Sequence, residues 1–200
     1  MNVHKLLAIS AAALTVISVH FLDFRVSSFV LDHAGKRLLL GRSVSSLPDG
    51  LLLTVIIASM LSWTGYFLLS RRGIADRRTR FFKLIGISLP MAFAIKSLLK
   101  WVFGRMDARA WILHPDEYAF HWFHGGQGFQ GFPSGHMLVF TPLLLALWNF
   151  YPRYSMIFLL AWVGLALALM ATEYHFLSDV IAGAYLGFLV YVGTRRYSNR

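Results

Sequence analysis

Two histidines, a carboxylate and a Ser-Gly pair carry the reactive potential of this chain, in Pro133-Ser134-Gly135-His136 and His175-Phe176-Leu177-Ser178-Asp179. A helix that opens at the first patch presents unsatisfied N–H groups and a partial positive charge, which together favour phosphate. Gly135 lets an anion approach the backbone, Ser134 supplies a hydroxyl or a cap, and His136 in the first turn can give a proton to a leaving oxygen. His175 and Asp179 are four residues apart, so on a helix they share one face. A carboxylate there holds an imidazole by its δ nitrogen and leaves the ε nitrogen free to attack. Each patch also has a plain structural reading. The first is equally an ordinary capped helix start, and the second a polar contact that anchors a helix.

The elements that must position these residues are apolar. Hydrophobic residues make up 57% of the 200 and charged ones 14%, against roughly 25% charged in soluble domains. Six segments approach the roughly 17–25 residues that a bilayer requires: 6–22, 51–70, 82–103, 137–150, 155–171 and 177–194. The fourth is short unless its helix begins within Pro133–His136. The first is expected to be a retained helix and not a cleaved signal, because its apolar run passes Ala11-Ala12-Ala13 and continues to Leu22. The expectation is therefore an all-α, six-span integral membrane bundle, a single domain over residues 1–200.

The net charge of +10 invites a nucleic-acid reading. However, the basic residues flank apolar segments, which fits membrane orientation and no nucleic-acid partner. Arg71, Arg72, Arg77, Arg78, Arg80 and Lys83 lie in the second loop, with Lys5, Arg153, Arg195, Arg196 and Arg200 on the same side. They outnumber Arg25, Lys36, Arg37, Arg42, Arg105 and Arg109 opposite, so both termini are expected in the cytoplasm. Both patches then open helices on the outer side, where the third span also ends and brings Lys96 and Lys100.

These residues resemble the motifs of the type 2 phosphatidic acid phosphatase family of membrane lipid phosphatases, over roughly residues 100–187. Pro133-Ser134-Gly135-His136 matches the second motif in full, His175 with Asp179 matches the end of the third, and Lys100-Trp-Val-Phe-Gly-Arg105 is similar to the start of the first. The resemblance implies a phosphohistidine on His175, a general acid at His136 and an orienting carboxylate at Asp179. It implies phosphate binding by Lys100, Ser134 and Gly135, and no cofactor or metal. The chain departs from the family at two arginine positions, which hold Asp107 and Leu169. Either Arg105 or Arg109 then substitutes in the phosphate clamp from the outer loop, or the pocket treats its anion differently.

The implied activity is hydrolysis of a lipid phosphate or isoprenyl diphosphate, at the periplasmic or exterior face of the cytoplasmic (inner) membrane. The alternatives are a non-catalytic lipid-phosphate binding or transport protein and a phosphotransferase on the same fold. The lipid headgroup and the oligomeric state stay open at this stage. In the outer loop, His114, Asp116, Glu117, His121 and His124 are spaced too irregularly for a tight metal site. The neighbouring aromatics Tyr118, Phe120, Trp122, Phe123, Phe129 and Phe132 read either as an interfacial cover or as a loop packed on itself. Gly126-Gln-Gly128-Phe-Gln-Gly131 has the spelling of a dinucleotide fingerprint but no strand before it. Gly183 and Gly187 form a small-xxx-small pair suited to close helix packing.

Overall fold

The computed structural model describes residues 3–34, 47–113, 120–126 and 128–198. Among these residues there is no strand, and the sole β-type pairing is an isolated bridge between Arg105 and Phe120. The helices are α1 (Val3–Ile17), α2 (Asp23–Ala34), α3 (Leu47–Arg71), α4 (Arg77–Phe103), α5 (Ala108–Leu113), α6 (Gly135–Phe150), α7 (Ser155–Ala171) and α8 (Leu177–Ser198). A π-helical turn, Ser18–Leu22, joins α1 to α2 so that they continue as one rod.

Five of these helical segments are long and apolar enough to cross a membrane: Lys5–His33, Gly50–Arg71, Arg77–Phe103, Pro152–Ala171 and Leu177–Ser198. The remaining apolar helix, Gly135–Phe150, has 16 residues and measures about 24 Å, short of a ~30 Å hydrocarbon core. On length, then, the structure supports five spans and a shorter sixth apolar helix. The first span differs from the sequence expectation. It does not stop at Leu22 but runs to His33, and so carries Asp23 and Arg25. Asp23 comes 18 residues after Lys5, about 27 Å along the rod, close to the far boundary of a bilayer.

The outward faces are greasy. Met60, Leu61 and Leu160 are each 65% exposed, which a bilayer tolerates and water does not. Inside, Leu51 and Val55 of α3 pack with Leu84, Ile85, Leu89 and Ala92 of α4, Leu138, Val139 and Ala146 of α6, and Val190 and Tyr191 of α8. A second cluster joins Met137 of α6, Leu169 of α7 and Val180 of α8.

The α6–α8 contact depends on the two glycines that the sequence marks. A β-carbon at Gly183 would sit 3.1 Å from the Met137 Cβ and 2.5 Å from the Ser134 carbonyl oxygen. At Gly187 it would lie 2.8 Å from both the Leu138 oxygen and the Thr141 Cβ. Glycine is what lets these two backbones touch.

The helix ends sort into two groups. The C-terminus of α4, the N-termini of α6 and α8, and Asp23 meet at one end of the bundle: the Ser134 N–H donates to the Asp179 oxygen at 3.0 Å, and the Ser178 N–H to Asp23 Oδ1 at 2.9 Å. At the other end Arg77 donates to the Asn149 oxygen at 2.6 Å, and the Lys83 ammonium lies 5.3 Å from the Tyr197 ring centre. Arg77 and Arg80 of the dense basic segment and Arg195 of α8 thus gather opposite the two polar patches.

Candidate active site

Each polar patch lies at a capped helix start. Ser134 is the N-cap of α6, with an extended backbone and a side-chain oxygen that accepts from the Met137 N–H at 3.4 Å. His136 follows in the first turn, half-buried, where helical N–H groups lack intrahelical partners. At the second patch the helix begins at Leu177, so His175 precedes α8 instead of riding on it. Proximity to Asp179 is achieved by a bend and not by a shared helical face. The Tyr174 and His175 N–H groups both donate to the Leu169 oxygen, at 3.0 and 3.3 Å. Glu173, in the left-handed region at φ 51°, turns the chain there.

Asp179 caps a helix and lies beside His175. Its Oδ2 accepts the Phe176 N–H at 2.8 Å, the backward reach of a third-position acid to the N-cap, and so stabilises the start of α8. The same oxygen lies 3.7 Å from His175 Nδ1, one small movement short of a hydrogen bond. One carboxylate thus caps the start of α8 and lies beside the imidazole of His175. His175 is 2% exposed, and neither ring nitrogen has a hydrogen-bond partner among the described residues. Its ring centre is 6.5 Å from that of His136, with the planes inclined at 63°. The Tyr174 ring stands steeply inclined to both, at 80° and 81°, with 5.7 and 5.2 Å between centres.

Cationic groups come from α4. Lys100 is half-buried one turn before Gly104, whose φ of 47° ends the helix. A β-carbon on Gly104 would run into the carbonyl oxygens of His121 and His124, so only glycine lets the outer loop lie so close. Lys96, one turn earlier, stretches its stem over Gly135, where an added β-carbon would be 2.7 Å from the Lys96 Cδ. Its ammonium sits 4.1 Å from the Phe93 ring centre. Lys96 therefore joins Lys100 at the opening of α6.

Arg105 does not stand where the sequence expectation put it. Its guanidinium is fully buried and bound to carboxylates, not turned outward to an anion. Nη1 donates to Asp179 Oδ1 at 2.5 Å and to the Ser178 hydroxyl at 2.6 Å. Nη2 donates to Asp23 Oδ2 at 2.7 Å. A group tied on both edges is not offered to a phosphate. The other candidate substitute, Arg109, donates Nε and Nη2 to the Thr172 oxygen at 3.1 and 2.8 Å and so braces the α7–α8 turn.

The two positions where arginine is absent have structural roles. Leu169 is buried against Met137 and Val180, while its carbonyl holds the loop of His175. Asp107 is half-buried beside Lys100 and His175, and the Gln130 N–H donates to its carboxylate. Burial pushes that carboxyl above its ordinary value of 3.8, and the charge of nearby Lys100 offsets part of the effect.

Asp23 is the site residue that the sequence reading missed. Its one legible signal was an acid at the end of an apolar run, costly at membrane depth unless paired. In the outer loop, the rings of His121 and His124 are 6.5 Å apart, and His114, Asp116, Glu117 and Tyr118 lie outside the described residues. Among the described residues no group of three His, Asp or Glu side chains is placed to hold a metal ion.

The model of the PAP2 superfamily matches residues 81–200, a stretch that includes most of α4, all of α6 and α8, and all the residues above except Asp23. Lipid A 1-phosphatase of Rhizobium johnstonii is 28% identical over 153 residues, covering 74% of this chain. The matched region spans 62% of that relative's length. No solved structure matches the chain. On the extent of the family match, the chain belongs to the PAP2 superfamily.

Proposed function

We propose that this membrane protein hydrolyses a lipid phosphate or diphosphate at the outer face of the cytoplasmic membrane, through a phosphohistidine on His175. The observation that carries the reading is the pairing of two imidazoles, His175 and His136, with ring centres 6.5 Å apart at adjoining helix starts. One has a carboxylate behind it and the other lies under two lysines. A phosphoryl group seated between the rings would meet a nucleophile on one side and an acid on the other.

In the proposed cycle, His175 Nε2 forms a bond to phosphorus as the bond to the lipid oxygen breaks, and His136 delivers a proton to that oxygen. Water then attacks the phosphoimidazole, with His136 taking its proton, and inorganic phosphate leaves. Asp179 steadies the imidazole through Nδ1. Lys100, Lys96, Ser134 and the opening N–H groups of α6 balance the charge that grows on the phosphoryl oxygens, which is where most of the acceleration arises. Arg105 acts behind Asp179 and not on phosphate.

A lipid substrate is supported by the surroundings. An apolar cavity of about 470 Å³ lies between α1, α6, α7 and α8, lined by Leu14, Thr141, Leu145, Trp148, Trp162 and Phe188 among others. Thr141 is five residues beyond His136 on α6, so a chain lying there extends from a headgroup at the site. The similarity to a lipid A 1-phosphatase puts lipid A among the substrates to test. The outer orientation is supported by Arg77, Arg80 and Arg195, which lie at the end of the bundle away from the histidines.

The test is phosphate release by the detergent-solubilised chain from lipid A, phosphatidate, phosphatidylglycerophosphate and isoprenyl diphosphate. Release from at least one, lost in His175→Ala, is expected. Tight binding of these lipids with no release at any pH would show a binding protein instead.

A further inference from the structure

Asp23 belongs to the first span, outside the residues that the family model matches, yet it reaches the centre of the site. It is fully buried, as are Arg105 and Asp179. Among the described residues, every hydrogen bond of its carboxylate goes to the machinery around His175. Oδ1 accepts the Ser178 N–H at 2.9 Å. Oδ2 accepts the Ser178 hydroxyl at 2.5 Å and Arg105 Nη2 at 2.7 Å. Arg105 Nη1 then grips Asp179 Oδ1 at 2.5 Å. The guanidinium is held flat as well as at its edges, with its carbon 5.1 Å from the Phe120 ring centre and 4.7 Å from that of Phe176.

We propose that Asp23 is a positioning residue for the reaction. Through Arg105 and Ser178 it sets the Asp179 carboxylate against His175, so that the first span completes the active site. This rests on the phosphatase reading above for its kinetic arm, but not for its spectroscopic one.

Burying these charges costs free energy. Two carboxylates and a guanidinium removed from water do not hold helices together better than well-packed apolar side chains do. What they supply is direction. A planar guanidinium bound at one edge can still swing about that contact. Bound at both edges it cannot, and Asp179 Oδ1 is then fixed, which aims Oδ2 at the Phe176 N–H and at His175 Nδ1. Removing the charge on Asp23 weakens the hold on one edge of Arg105, and Asp179 gains a freedom that His175 then shares. Ser178 adds a second route, because its hydroxyl donates to Asp23 while accepting from Arg105.

The experiment uses the full chain in detergent, as wild type, Asp23→Asn, Asp23→Glu, Arg105→Gln and the Asp23→Asn/Arg105→Gln double variant. Phosphate release is measured together with the ¹⁵N resonances of the histidine rings. Asp23→Asn is expected to lower kcat by about 10- to 100-fold, the range for a misplacement near 1 Å, with KM within about threefold. It is expected to shift the His175 ring resonances, and Asp23→Glu to recover part of both. The double variant is expected to be slower than Arg105→Gln alone by much less than the full Asp23→Asn factor, because Asp23 acts mainly through Arg105 and only in part through Ser178.

Unchanged kcat with unshifted His175 resonances would overturn the proposal, as would losses that multiply in the double variant. If the wild type releases phosphate from none of the lipids, the phosphatase reading fails. The resonance shift then decides the positioning role alone. If Asp23→Asn does not fold, Ser178→Ala removes only the bridging hydroxyl and carries the same test, with a smaller loss of kcat and the same shift expected.

Discussion

A single methyl group at Gly183 is predicted to disable the site from a position that touches no substrate. The β-carbon of Gly183→Ala would meet the Ser134 carbonyl oxygen at 2.5 Å, the Met137 Cβ at 3.1 Å and the Ser134 Cβ at 3.2 Å. None of these is the loose end of a long side chain. The Ser134 oxygen accepts the Leu138 N–H at 3.0 Å, so it cannot withdraw without unwinding the first turn of α6. Relief therefore comes from parting α6 and α8 by roughly 0.5–1 Å, given an ordinary carbon–oxygen contact of about 3.2–3.5 Å.

That movement separates Ser134, Gly135 and His136 from Asp179 and His175, which the two helix starts hold together. Overpacking of this kind costs about 1–3 kcal/mol of stability. A displacement near 1 Å in the reacting geometry costs up to about 100-fold in rate. The assay is phosphate release alongside thermal unfolding in detergent, with Gly193→Ala on the same helix as reference, since nothing lies within 4 Å of a β-carbon there. Gly193→Ala should match the wild type or unfold slightly later, because alanine suits a helix better than glycine by about 1 kcal/mol. Full activity in Gly183→Ala would refute the reasoning that the α6–α8 contact sets the distance between the two histidines.

Two further outcomes follow from the carboxylates around the site. Glu173 is buried, accepts the Ser27 hydroxyl at 2.8 Å, and has its carboxyl pushed by burial from 4.5 up to about 7. Between those two values the native state keeps a proton that the unfolded chain has lost, so stability falls as pH rises through the window. Glu173→Gln should therefore unfold at the same temperature as the wild type near pH 4.5 and at a higher temperature at pH 8; equal melting at both pH values would count against a buried, protonated Glu173. Asp107 places a negative charge beside Lys100 and His175. Asp107→Asn at pH 8 should tighten inhibition by orthovanadate about three- to tenfold, the effect of one screened charge worth ~1 kcal/mol, and unaltered inhibition would mean that Asp107 does not face the anion.

The sequence made the two polar patches legible because titratable groups stand out in a chain this apolar, and their helix-opening signals are local. Gly183 and Gly187 were readable for the same reason, since close approach leaves a trace in the residue type itself. Arg105 and Asp23 were not. Nothing local separates an arginine that meets phosphate from one that meets two carboxylates, because the difference lies in partners 82 and 74 residues away. Asp23 was obscured further by the apolar run before it, which ends the span at Leu22 on composition, whereas the helix runs on through a π turn to Ala34. The bend before α8 was equally hidden. A spacing of four residues has the same appearance whether the histidine rides on the helix or is folded back onto it by the Leu169 carbonyl.

The central claim is that phosphorus bonds to His175 Nε2, and a rapid alkaline quench tests it most directly. Purified protein is mixed with a ³²P-labelled lipid substrate identified by phosphate release, stopped in alkali within milliseconds, and digested for mass spectrometry. The account predicts an acid-labile, alkali-stable phosphoryl group on the peptide containing His175, formed before inorganic phosphate appears and absent from His175→Ala. Phosphate released with no label ever on that peptide would contradict it.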